Sequence, residues 1–157
     1  MVILSSVMIR KDCFMIILGV DYGDARTGLS FCDRSEMLAS PLCVIPERNT
    51  ERLIEKIADK AAEIKAELIV VGLPKNMDAS VGERGQKCIE FAASLSEKTG
   101  LPHVMRDERL STVSAHVALN NTNTRGKKRK AVVDAVAAVM ILQDYIDYRR
   151  NQNGSED

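Results

Sequence analysis

Six residues, Met15-Ile16-Ile17-Leu18-Gly19-Val20, run without a charge and end on Asp21. A run this short, with a glycine inside it, reads as a β-strand covered on both faces. Such strands lie at the centre of sheets sandwiched between helices, which points to an α/β architecture. The carboxylate at the tip is then the anomaly, because a charge beside apolar surface is costly unless something there uses it.

The rest of the chain fits that frame. Gly23 and Gly28 bracket a turn, and residues 28–32 can return as a second strand. Residues 37–45 can form a third, at the sheet edge, since Pro41 cannot donate to a ladder. Leu53, Ile54, Ile57, Ala61 and Ile64 recur at helical spacing, which predicts a helix over 50–66 with Thr50 as its N-cap. Residues 68–72 (LIVVG) are a second buried strand, 82–99 a helix stopped by Gly100, and 103–108 a short strand ending on Asp107 and Glu108. Ser111 or Thr112 would cap a short helix to about residue 119, a mobile polar stretch fills 120–130, and the last helix spans 131–148. The order of elements implies a mixed sheet, with a meander on one side and parallel strands joined by crossover helices.

A length of 157 residues suits one domain, over 15–150, with 151–157 as a fraying tail. Residues 1–14 read as an upstream extension, with Met15 as a possible natural start. The extension lacks the basic segment and cleavage site of a secretion signal and is too short to span a membrane. With 45% hydrophobic residues but no Trp, the core rests on Val, Ile, Leu, Ala and Met. The four cysteines, Cys13, Cys32, Cys43 and Cys88, show no C-x-x-C spacing, so they read as reduced thiols in a soluble cytoplasmic protein. The net charge of zero excludes a globally basic nucleic-acid binder but not a local basic patch.

Three acids stand where acids are expensive. Asp21 and Glu108 close strands, at the end where α/β sheets form their ligand crevice. Asp134 directly precedes eight apolar residues, Ala135 to Leu142, whose helix should be buried nearly all round. Singly, each has an ordinary explanation: Asp21 opens a turn, Glu108 pairs with Arg106 or Arg109, and Asp134 complements the helix dipole. A shared hard cation, Mg²⁺ or Mn²⁺, would explain all three, because oxygen ligands suit it and like charges need a cation between them. Asp107 alternates to the opposite face of its strand and is a second choice. Asp144 and Asp147 point away from Asp134 and read as solvated or capping residues. His103 and His116 have no partners at metal or triad spacing, and Met77 and Met140 read as core fillers.

Arg125-Gly126-Lys127-Lys128-Arg129-Lys130 places five positive charges just before Asp134. Beside a carboxylate-bound metal, such a segment suits phosphate contacts along a nucleic acid. Arg26, Arg109, Ser111 and Thr112 could hold further phosphate oxygens. Phosphodiester hydrolysis with one ion, or with two about 3.5–4 Å apart, follows.

Four motifs occur in order: Asp21-x-Gly23-x-x-Arg26-x-Gly28, Val71-Gly72-Leu73-Pro74-x-Asn76-Met77-Asp78, Asp107-Glu108-Arg109-Leu110-Ser111-Thr112 and Asp134-Ala135-Val136-Ala137-Ala138. Together they resemble the YqgF/RuvX family of pre-16S ribosomal RNA nucleases, also called Holliday-junction-resolvase-like proteins. The resemblance spans about residues 15–148. It implies an RNase H-like fold of five strands in the order 3-2-1-4-5, with helices on both faces. It also implies a metal-dependent nuclease maturing the 5′ end of 16S rRNA, with Asp21, Glu108 and Asp134 as catalytic acids and Gly72, Pro74 and Asn76 shaping the rim of the site. Expected partners are pre-16S rRNA or another structured RNA or DNA, and ribosomal precursor particles, with the protein a monomer or homodimer. Three other readings compete. They are a dimeric resolvase of branched DNA, a phosphotransferase of the actin/sugar-kinase type (which needs two such halves), and a non-catalytic RNA-binding assembly factor.

Overall fold

The computed structural model describes the backbone of residues 14–76, 78–107 and 126–154, and the side chains of 14–76, 78–107 and 135–152. Five strands form one sheet: β1 (Ile17–Asp21), β2 (Thr27–Cys32), β3 (Ser40–Ile45), β4 (Leu68–Leu73) and β5 (His103–Asp107). Their order is β3-β2-β1-β4-β5, the 3-2-1-4-5 order expected above. β1 runs antiparallel to β2 and parallel to β4, β2 antiparallel to β3, and β4 parallel to β5. β3 is an edge strand, and its Pro41 sits opposite Ser30 next to a register shift.

β1 alternates between two cores. Leu18 and Val20 join Ile69, Val71 and the buried faces of helices α1 (Thr50–Ile64) and α2 (Glu83–Thr99). Ile17 joins Leu68, Val70 and Ile141, Leu142, Tyr145 and Ile146 of helix α3 (Gly126–Gly154). Helices thus cover both faces, and the charge-free runs of β1 and β4 follow from that. Each fully buried Ile or Leu in these strands contributes about 1.5–3 kcal/mol relative to exposure.

Several local expectations change. The N-cap of α1 is Asn49, whose Oδ1 accepts from the Arg52 amide at 3.0 Å; Thr50 is already inside the helix. α1 closes at Lys65 in the left-handed region, one residue after Ile64. Gly100, with φ +72°, ends α2 as expected. β3 starts at Ser40 rather than 37, and Met37 and Leu38 are exposed. Their apolar character mimics a strand, but the preceding turn places them beyond the sheet.

α3 differs most. It begins at Gly126, inside the stretch expected to be mobile, and runs to Gly154, past the expected end at 148. Lys and Arg are good helix formers, which suits the basic start. At the far end, Arg149 Nε donates to Glu36 Oε1 at 2.7 Å, and Arg150 Nη2 donates to the Met37 carbonyl at 3.0 Å. Gln143 also binds this loop, accepting from the Ala39 amide at 2.8 Å. Nor is α3 buried all round: Ala137, Ala138, Ile141, Leu142, Tyr145 and Ile146 are buried, while Ala135, Val136, Val139 and Met140 are only half-buried. The helix packs on one face of a sheet and has a second side.

The short helix expected near 111–119 lies outside the described residues. Cys32 and Cys88 are buried thiols and Cys43 is half-buried; burial pushes the Cys32 thiol up to about 11. Among the described residues no helix is long and apolar enough to cross a membrane.

Candidate active site

Asp21 ends β1 on the face that α3 covers, because it shares pleat parity with Ile17 and Gly19. Its antiparallel partner is Gly28. On the other side the parallel register pairs Val20 with Val71, so Gly72 is the next residue along β4. The half-buried carboxylate therefore sits in a row with a glycine in each neighbouring strand.

One strand position below, the packing is tight. A Cβ on Gly19 would come within 2.2 Å of Ser30 Oγ and 2.9 Å of Leu142 Cβ. Ser30 Oγ donates to the Ala138 carbonyl at 2.7 Å, in a buried contact between residues far apart in sequence. Missing side chain and hydroxyl together let the α3 backbone approach β1 closely and fix it there. As β1 ascends from Ile17 to Gly19, its α3 neighbours descend from Tyr145 and Ile146 to Ala138. The helix thus runs antiparallel to the strand. Position 134 belongs to this helix, one turn before Ala138.

The loop after β4 is self-bonded. The Asn76 amide donates to the Ser80 carbonyl at 2.9 Å, and Asn76 Nδ2 to Ser80 Oγ at 3.0 Å. Ser80 in turn donates through amide and hydroxyl to Asp78, holding that carboxyl below its ordinary range. A Cβ on Gly85 would meet the Pro74 carbonyl at 2.8 Å, so α2 packs directly on the loop. Pro74 and Asn76 thus lie in a loop bonded to itself and packed on α2, and Gly72 lies near the end of β4 just before it.

The β1–β2 hairpin is equally set. A Cβ on Gly23 would lie 2.0 Å from the Arg26 carbonyl, which admits only glycine. Tyr22 stacks on Phe91, with ring centroids 4.1 Å apart, and Arg84 lies 5.1 Å over its ring. Arg84 also donates to Asp24 at 2.8 Å and to the Tyr22 carbonyl at 2.5 Å. Arg26, half-buried, lines an open depression of about 530 Å³ with Pro46, Glu47 and Arg48.

Of the other residues expected at the site, Glu108, Arg109, Ser111, Thr112 and Arg125 lie outside the described residues, as do the side chains of Lys127, Lys128, Arg129, Lys130 and Asp134. Among the described residues no three His, Cys, Asp or Glu side chains gather as a metal cluster. Asp21 itself suits a hard cation by its chemistry: it is an oxygen donor, half exposed at the end of its strand. Two arrangements escaped the sequence. Asp144 is solvent-accessible, as expected, but also paired: Arg106 Nε donates to it at 2.6 Å, tying β5 to α3, while the same guanidinium lies 4.6 Å over the Tyr148 ring. The exposed Arg48 and Lys87, beside the hairpin, lie in no charge run that would single them out.

The family model for RuvX, described as Holliday junction resolvase, matches residues 15–148. A protein of Halothermothrix orenii provisionally named a pre-16S rRNA nuclease is 41% identical over 140 residues, which covers 89% of this chain and 100% of that protein. One of Clostridium novyi with the same name is 40% identical over 133 residues, covering 85% and 98%. Among solved structures, T. thermophilus RuvC in complex with a Holliday junction substrate aligns with a TM-score of 0.58 at 16% identity, over 87% of this chain and 96% of that one. The Fowlpox virus resolvase in complex with Holliday junction DNA gives 0.56 at 11% identity, over 85% and 98%. At such identities the structural likeness speaks to the fold, which is the RNase H-like one implied by the family resemblance. With the family model matched over nearly the whole domain, the chain belongs to the RuvX family of nucleases.

Proposed function

We propose that this protein is a metal-dependent nuclease that hydrolyses phosphodiester bonds at the tip of β1, and that its substrate is the 5′ leader of pre-16S rRNA in the cytoplasm. One observation supports this most: Asp21 stands on a rigid central strand, between Gly28 and Gly72, on the face against which Ser30 and Gly19 fix α3. Position 134 is one helical turn from that fixed point, towards the same end of β1. Continued one residue past Asp107, the alternation of β5 would put Glu108 on the face shared by Val104 and Arg106, again the α3 face. Asp21, Glu108 and Asp134 are accordingly the proposed ligands of Mg²⁺ or Mn²⁺. When bound, such an ion supplies an acidified water and neutralises charge at the leaving oxygen.

The chain's own contribution is placement. The central strand presents Asp21, half exposed, at the sheet tip, where the reacting phosphate is to be held. The loop that follows β4 and the 22–26 hairpin flank that tip. Arg26 and the basic start of α3 hold flanking phosphates without reading bases. The pre-16S substrate is carried over from the relatives' names.

The family's description and the fold it shares with RuvC favour a second reading, cleavage of branched DNA. End-labelled RNA bearing a 16S 5′ leader and a four-way DNA junction separate the two. Each is incubated with Mn²⁺ or Mg²⁺, with EDTA and Asp21→Asn as controls. Metal-dependent RNA cuts lost in Asp21→Asn support the rRNA nuclease. Paired junction cuts alone transfer the assignment to a resolvase. Binding without cleavage, unchanged in the variant, sinks both and leaves a binding module.

A further inference from the structure

We infer that an open depression behind the β1–β2 hairpin is a phosphate subsite for a single strand leaving the cleavage site. The inference rests on the nuclease reading above. The depression measures about 510 Å³ and is lined by Tyr22, Asp24, Arg48, Thr50, Lys87, Glu90, Phe91 and Ser94. It shares Arg48 with the depression that holds Arg26, so the two form one path around the hairpin. Tyr22 follows Asp21 directly, but its ring belongs to the opposite face, against Phe91. A strand held at Asp21 and passing over the tip of the sheet descends into this path.

The charges there are arranged for an anion. Among the described residues, Arg48 and Lys87 make no hydrogen bond or ion pair, and both are exposed. The neighbouring acids are mostly engaged: Arg84 binds Asp24 at 2.8 Å, and Lys56 binds Glu47 at 2.9 Å. Glu90 alone remains as an opposing charge. The exposed Thr50 and Ser94 add two hydroxyl donors. Both faces of the Tyr22 ring are occupied, by Phe91 and by Arg84, so the wall offers no free platform for a base. Recognition is therefore of backbone and insensitive to sequence.

The test is fluorescence anisotropy of labelled single-stranded RNA, and of DNA of the same sequence, on the full chain in EDTA over a salt series. Arg48→Ala/Lys87→Ala should bind about 10-fold more weakly. Its slope of log affinity against log salt should fall by about 1.4, at roughly 0.7 per single-strand phosphate contact. Glu90→Gln should bind more tightly, an opposite sign that misfolding cannot mimic. Lys98→Ala, at the far end of α2, is the control and should match the wild type. If the double variant keeps wild-type affinity and slope while the wild type cuts RNA or DNA in Mn²⁺, the subsite is overturned and the nuclease reading stands. A wild type that neither binds nor cuts overturns both.

Discussion

Glu36 and Asp21 are carboxylates at opposite ends of β1, and the fold treats them in opposite ways. At the base, Glu36 is 5% exposed and saturated with donors: the Met15 amide at 2.7 Å and Arg149 Nε at 2.7 Å. Burial works against the Arg149 charge, but the hydrogen bond and the negative charge of Glu36 outweigh it and hold the guanidinium above its ordinary value. At the tip, Asp21 is half exposed among glycines. A carboxylate enclosed by buried donors has little left to offer a ligand, whereas one half exposed at the end of a strand can be reached from solvent. Environment, not residue type, separates the structural acid from the proposed catalytic one.

Five variants test that contrast, the largest effect first. Arg149→Ala strands the Glu36 charge in a buried site and should cost about 3–5 kcal/mol in urea unfolding. Replacing both partners, Glu36→Gln with Arg149→Met, should recover much of that loss. An equally unstable double variant would show that the pair is not what holds the base.

Asp21→Asn should do the reverse, leaving the unfolding midpoint nearly unchanged while metal-dependent cleavage falls at least about 100-fold, the upper range for losing a mere outer-shell partner of a metal. A variant that cuts at the wild-type rate would remove Asp21 from the chemistry. Gly19→Ala tests the link between the two ends. Its Cβ must displace Ser30 Oγ and press on Leu142, so thermal melts should register a loss of about 1–3 kcal/mol.

The smallest effect concerns His103, at the start of β5. Among the described residues its Nδ1 is buried without a partner, and burial holds its pKa below the ordinary 6.5. The unfolded chain therefore takes up this proton first. The contribution is complete above pH 6.5 and declines as pH falls below it. Melts of His103→Leu should show a shallower decline between pH 6.5 and 5; identical slopes would assign the acid sensitivity to other groups.

What could be read from the sequence was what local pattern controls. The charge-free runs of β1 and β4 announced a sheet covered on both faces, and the spacing of Leu53, Ile57 and Ala61 announced α1. The position of Asp21 at the end of β1 was legible too, as the charge that closes such a run. What escaped depended on partners distant in the chain. Residues 149–154 stay helical because Arg149 and Arg150 meet the 36–37 loop, more than a hundred residues away. The pairing of Asp144 was missed because nothing near it in sequence reveals Arg106. Arg48 and Lys87 converge only once α1 and α2 pack side by side. Met37 and Leu38 carried the right residue type for a strand in a place the turn had already taken off the sheet.

The two attachments of α3 also define a lever. Arg149 is the pivot at the base, and the Ser30 contact at Ala138 is where the sheet sets the angle. Eleven residues separate them, about 16 Å of helix rise, while position 134 lies about 6 Å farther out and Gly126 about 18 Å. A shift of ~1 Å at Ala138 therefore grows to roughly 1.4 Å at position 134 and about 2 Å at Gly126, by simple proportion along the rod. Where Asp134 is a metal ligand, an error of that size is enough to cost on the order of 100-fold in rate. One missing side chain at Gly19 thus calibrates the aim of a residue more than a hundred positions away.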